Sequence, residues 1–144
     1  MTPDQIKLVQ DSFAKIAPIS DRAAELFYGR LFNMAPQIRS LFPDDIAEQR
    51  KKLMATLAVV VSGLGQLDTI LPAASALAKR HVDYGAEPAH YSVVGEALLW
   101  TLERGLGASW TSDVAAAWTA AYSMLSELMI SAASSDRRGQ GVST

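Results

Sequence analysis

Proline and glycine divide this chain into segments whose apolar residues recur every three or four positions, and no segment alternates apolar and polar residues as a half-buried strand does. That pattern predicts an all-α fold. Thr2 followed by Pro3 is a helix start, and Ile6, Val9, Phe13 and Ile16 form a stripe up to the break at Pro18. A second helix begins near Ser20 and carries Ala24, Phe27, Tyr28, Leu31 and Phe32 until Pro36 interrupts it. Residues 36–45 read as a helical turn and then a corner containing Leu41, Phe42 and Pro43. A third helix is expected over about residues 46–63, and a fourth runs from a cap at Asp68 to about Tyr84, stopped by Gly85. The last two are expected over residues 89–106, preceded by Pro88, and 112–133, opened by Thr111, Ser112 and Asp113. The polar ending SSDRRGQGVST is expected to fray, giving one domain over 1–133 and a flexible tail over 134–144.

A chain of 144 residues is long enough to bury one continuous core and too short for a second catalytic domain beside it. Its 13 basic and 15 acidic residues are interspersed, so no electrostatic footprint for nucleic acid or an anionic membrane is present. The absence of cysteine excludes disulfides, thiolate metal sites and cysteine nucleophiles, and fits a reducing compartment. The start MTPDQIKLVQ lacks the basic and apolar regions of a signal peptide, and no stretch has the length and apolarity of a membrane span. A soluble, cytoplasmic protein is expected. Catalytic triads, phosphate-cradling glycine loops and clustered metal-ligand spacings are missing from the sequence.

Function is best sought where a polar side chain interrupts an apolar stripe, because burial without a partner costs about 1–3 kcal/mol. In the fourth helix Ile70, Ala74, Leu77, His81 and Tyr84 share a face, so His81 points where the core residues point. A histidine there is either a core residue satisfied by a backbone carbonyl or a ligand. In the third helix Gln49 heads a face continued by Leu53, Leu57 and Val60 or Val61; it is a helix-start glutamine or an amide aimed inward. In the second, Ala24, Tyr28 and Leu31 put a phenol on the inner face, where a buried tyrosine ordinarily finds a hydroxyl partner. One requirement accounts for all three. A haem iron needs a neutral imidazole on one side, and a bound, polarised diatomic ligand needs hydrogen-bond donors on the other. His90 follows His81 after only nine residues, with Gly85 and Pro88 between, so the pair is poorly placed to grip opposite faces of one macrocycle.

At these residues the sequence resembles the globin family, and within it bacterial single-domain haemoglobins and the globin domain of flavohaemoglobins. The resemblance extends over about residues 2–133 and is most specific in ALAKRHVDYGAEPAHYSVVGEALL, residues 76–99, where the family's proximal histidine corresponds to His81. Further matches are FYGRLF with Tyr28, SLF with Phe42, the EQ pair with Gln49, and AAWTAAY with Trp118 and Tyr122. The resemblance implies helices packed three over three around a haem b. It also implies that Phe42 packs on the haem face, that Leu53 and Leu57 shape the distal cavity and that Val94 lines the proximal side. Arg80 then meets a haem propionate or is simply a solvated charge at a helix end.

In the flavohaemoglobin branch the proximal histidine is tied to a tyrosine and a glutamate. Tyr91 matches the tyrosine, but the glutamate position falls on Ala133, so a less basic proximal ligand is expected. The function implied is reversible binding of oxygen, nitric oxide or carbon monoxide at a five-coordinate or weakly six-coordinate iron, in a monomer or weak homodimer. An alternative is a nitric oxide dioxygenase or a nitrite or peroxide reductase that draws electrons from a separate reductase. A third reading is a sensor, either haem-based or a haem-free module in which His81 is only a core residue.

Overall fold

A computed structural model describes the backbone of residues 1–83 and 88–142, and within it the side chains of all but residues 67–69, 73, 80, 82–83, 88–89 and 133–142. The roles expected for Asp68, Arg80 and Tyr84, and the helix stop at Gly85, fall outside the described residues. The chain forms helices α1 (Pro3–Ile16), α2 (Ser20–Met34), α3 (Ala47–Ser62), α4 (Leu67–Asp83), α5 (Pro88–Leu106) and α6 (Ser112–Val142). No strand occurs among the described residues. None of the described helices is long and apolar enough to cross a membrane.

The starts of α1 and α6 follow their sequence signals. Thr2 Oγ1 accepts from the Gln5 amide at 3.1 Å, and the Thr2 amide donates back to Gln5 Oε1 at 3.1 Å, so two otherwise orphaned donors are satisfied reciprocally. Thr111 Oγ1 accepts from the Val114 amide at 3.2 Å and caps the start of α6 with this single bond. Pro18 does not separate α1 from α2 by a loop; a single 3₁₀ turn, Ala17–Ile19, carries the chain directly from one to the other. Another 3₁₀ segment, Pro36–Leu41, follows α2, and the backbone becomes extended at Phe42, as the proline that follows it requires.

Helix α4 runs through Pro72, inside the span expected from the sequence; past the first turn, the proline removes one rung of the hydrogen-bond ladder. One element differs from the sequence expectation. Helix α6 continues to Val142, beyond the predicted end near residue 133; the polar ending contains no proline to stop it.

Helix α6 packs along α1 and α4, α5 crosses α2 and α6, and α3 lies on α2 and α1. The core between them contains Val9, Ile16, Phe27, Leu31, Leu102 and Trp118. A polar link crosses it. The Trp118 indole donates to Ser12 Oγ at 2.8 Å, while that hydroxyl donates to the Leu8 carbonyl at 2.7 Å, so burying both polar groups leaves neither without a partner.

Candidate functional site

The second helix positions the first predicted site residue. Tyr28 lies on the inner face of α2 with only 4% of its surface exposed, as the stripe Ala24, Tyr28, Leu31 predicts. Its ring stands edge-on to Phe27 at 4.9 Å between centroids and to Phe42 at 5.7 Å, and is tilted against Phe32 at 5.8 Å. Phe32 and Phe42 also meet, at 5.4 Å. Each such pair adds about 0.5–1.5 kcal/mol beyond the area it buries, so the phenol is held in a cage of rings drawn from α2 and the corner after it.

Gln49, in the first turn of α3, interacts with that phenol. Burial pushes the Tyr28 hydroxyl above its ordinary pKa of 10.0, and a side-chain hydrogen bond with Gln49 offsets part of the rise. The two polar groups singled out on separate helices therefore converge. Tyr28 stays protonated at neutral pH, which keeps it a hydrogen-bond donor.

His81 sits half-buried on α4, on a face with Ile70 and Ala74, which are fully buried, and Leu77. Its Nδ1 is 2.8 Å from the carbonyl oxygen of Leu77, one turn earlier on the same helix. A carbonyl only accepts, so Nδ1 carries the proton in this contact, and the neutral ring then has its lone pair on Nε2. This contact satisfies the histidine as a core residue, and it gives the ring the defined tautomer and orientation that a ligand would need. Among the described residues no group of three or more histidine, cysteine, aspartate or glutamate side chains could hold a bare metal ion. A single oriented imidazole suits an ion that arrives with its other donors already in place.

The remaining predicted residues take separate positions. Leu53 and Val94 are half-buried against the core. Leu57 lines an apolar cavity of about 20 Å³ with Val61, Leu98, Trp118, Tyr122 and Leu125, between α3, α5 and α6. Tyr91 is also half-buried, its phenol pushed above the ordinary value by desolvation, and its backbone carbonyl accepts from Tyr122 Oη at 2.6 Å. Gly95, one turn on, makes that contact feasible: a Cβ there would lie 2.7 Å from Tyr122 Cε2. The side chains of Arg80 and Ala133 lie outside the described residues.

The sequence reading missed Phe32 and Arg39 as parts of this site. Phe32 was visible only as one more apolar residue on α2. Arg39 carried a signal in its position, three residues before Phe42 and inside a corner bounded by Pro36 and Pro43.

Tyr28, Tyr91 and Tyr122 all hold their protons to higher pH than free tyrosine, Tyr28 and Tyr91 because of burial and Tyr122 because of burial and then the neighbouring Tyr91. In the unfolded chain these phenols ionise near pH 10, so below that pH they take nothing from stability. Above it the folded state retains protons that the unfolded state releases, and stability falls. Urea midpoints are expected to drop between about pH 9 and about pH 11, and a flat profile over that interval would contradict the packing described.

The chain is similar to known proteins over most of its length. The family model described as Globin matches residues 25–129. A flavohemoprotein of Bordetella parapertussis is 28% identical over 133 residues, spanning 90% of this chain and 33% of that protein. A flavohemoprotein of Vibrio cholerae is 26% identical over 142 residues, spanning 96% of this chain and 35% of that protein. The chain thus spans about a third of the length of these relatives. Among solved structures, a bacterial globin from Campylobacter jejuni superposes with a TM-score of 0.85 at 21% identity, covering 95% of this chain and 99% of that one. The structural match carries the fold, the all-helical globin fold expected from the sequence, and the family match covers most of the chain: this protein belongs to the globin family.

Proposed function

We propose that the chain holds one haem b through His81 and reversibly binds oxygen, and the related gases nitric oxide and carbon monoxide, on a distal side served by Tyr28 and Gln49. The observation that carries this reading is the His81 ring, fixed at Nδ1 by the Leu77 carbonyl at 2.8 Å. That hydrogen bond fixes the tautomer with the lone pair on Nε2, sets the rotation of the ring and makes it a better ligand. His81 would hold the haem, which would supply an iron able to bind a small gas.

The protein's own part on the distal side is to donate hydrogen bonds and keep water out. Tyr28 donates its phenolic hydrogen toward the partly negative end of a bound ligand, and Gln49 adds an amide donor beside it. Each bond contributes about 1 kcal/mol or more where water is excluded. Phe27, Phe32 and Phe42 surround the phenol and limit its access to water. Phe42, Leu53 and Leu57 are assigned to the distal walls and Val94 and Tyr91 to the proximal side, with Arg80 at a propionate. Residues 1–133 form the haem-binding unit in this reading, with 134–144 as an appended segment, in a cytoplasmic monomer or weak homodimer.

A second reading rests on the similarity to flavohemoproteins, whose name joins a flavin to a haem. A nitric oxide dioxygenase, or a nitrite or peroxide reductase, uses the same pocket and adds electrons from a separate flavin-bearing reductase. Sustained, reductant-dependent removal of nitric oxide favours the enzyme; a stable oxygenated form favours the carrier.

Optical spectra of the purified protein as ferric, ferrous and oxygen-exposed species test the proposal. A Soret band that moves among the three is expected. A colourless protein, or a pigment indifferent to oxygen after reduction, would reject it.

A further inference from the structure

We infer that Arg39 is a positioning residue for the distal pocket, holding the corner between α2 and α3 so that Phe42 braces Tyr28 and α3 delivers Gln49. The inference rests on the reading above in that Tyr28 is taken to face the bound gas.

The corner has a structural problem that Arg39 solves. Between the 3₁₀ segment Pro36–Leu41 and the start of α3 at Ala47, the backbone is neither helix nor strand. The carbonyls of Phe42, Pro43 and Asp44 therefore lack regular partners. The Arg39 guanidinium takes up all three: Nη1 donates to the Phe42 oxygen at 3.3 Å and the Pro43 oxygen at 2.8 Å, and Nη2 to the Asp44 oxygen at 2.9 Å. A planar fork with five donors can span successive carbonyls, and a lysine ammonium cannot do so in the same way. The guanidinium also lies 5.0 Å from the centre of the Phe32 ring. One side chain thereby joins the end of α2 to the corner that follows it.

The consequence for the pocket runs along two short routes. Phe42, whose carbonyl is gripped, is the ring that closes on both Tyr28, at 5.7 Å, and Phe32, at 5.4 Å. Asp45, next after the gripped Asp44, accepts from the Ala47 amide at 3.0 Å, and Gln49 stands two residues further along. A corner set loose alters the brace on the phenol and the place where α3 begins. Packing around a hydrogen-bond donor matters because its strength falls steeply with angle.

The test uses Arg39→Met, which keeps an unbranched stem over Phe32 and removes every donor, in the haem-loaded ferrous protein. Should that variant not fold, Arg39→Lys serves, since it retains the charge and loses the fork. Ring-to-ring nuclear Overhauser contacts between Tyr28 and Phe42 in the carbon monoxide complex are expected to weaken, while those between Phe13 and Trp118, far along the fold, persist. Oxygen dissociation is expected to change about threefold or more with Tyr28 present and less than about 1.5-fold in a Tyr28→Phe background, as coupling through one partner requires. Unchanged Tyr28–Phe42 contacts overturn the inference, as does, where Tyr28→Phe itself alters oxygen dissociation, the same change of rate in both backgrounds. Weakened contacts with an oxygen rate indifferent to Tyr28→Phe uphold the role of Arg39 in placing the ring and remove Tyr28 as the oxygen donor instead.

Discussion

Replacing His81 with alanine is expected to strip the protein of haem while leaving its helices in place. Loss of an outer partner that merely orients a metal-bound histidine costs about 10–100-fold in affinity, and loss of the ligand itself should exceed that. Retention of haem through desalting is the measurement. The fold is expected to survive because His81 is only half-buried and its Nδ1 bonds within its own helix, to the Leu77 carbonyl. Far-ultraviolet circular dichroism should therefore change little. Added imidazole is expected to restore pigment to the truncated variant, because the missing nitrogen is then supplied from solution. A variant that keeps its full haem content without imidazole contradicts the assignment.

The second large effect is expected at Tyr28. Phenylalanine preserves the ring that packs on Phe27 at 4.9 Å and on Phe42 at 5.7 Å, and removes only the hydroxyl. A hydrogen bond worth about 1–2 kcal/mol corresponds to about 5–30-fold in rate, so oxygen should dissociate faster by that factor. Carbon monoxide, which gathers less negative charge when bound, should respond much less. Stopped-flow displacement of oxygen measures the first, and an unchanged rate would take Tyr28 out of ligand stabilisation. The partner amide predicts a smaller loss for Gln49→Leu, because Tyr28 remains.

Much of this arrangement was legible in the residues because two strong signals act locally. Apolar spacing set the face of every helix, which is why Tyr28 came out inward on α2 and His81 joined Ile70 and Ala74 on α4. Prolines and caps set where α1, α5 and α6 begin. What escaped depends on contacts between elements distant in sequence or on irregular backbone. The grip of Arg39 on Phe42, Pro43 and Asp44 involves main-chain carbonyls, which carry no residue code. Gly95 read as an ordinary glycine, and its reason is the Tyr122 ring packed where a side chain would go. Leu57 shared a predicted stripe with Gln49 and Leu53, yet it lines a cavity with α5 and α6, because a helical face is wide enough to serve two neighbours. The length of α6 was likewise hidden, since polar residues without proline neither enforce a helix nor forbid one.

The attachment of iron to residue 81 is most directly tested by resonance Raman spectroscopy of the ferrous, gas-free protein grown with ¹⁵N-histidine. The sequence has two histidines, so isotope labelling alone leaves His90 as a rival. Pairing the label with His81→Gly and unlabelled imidazole removes it. The iron–nitrogen stretching band is expected to shift with the label in the unaltered protein and to lose that sensitivity in the rescued variant. A band that still follows the histidine label after His81 has gone would place the iron on another residue and contradict the account.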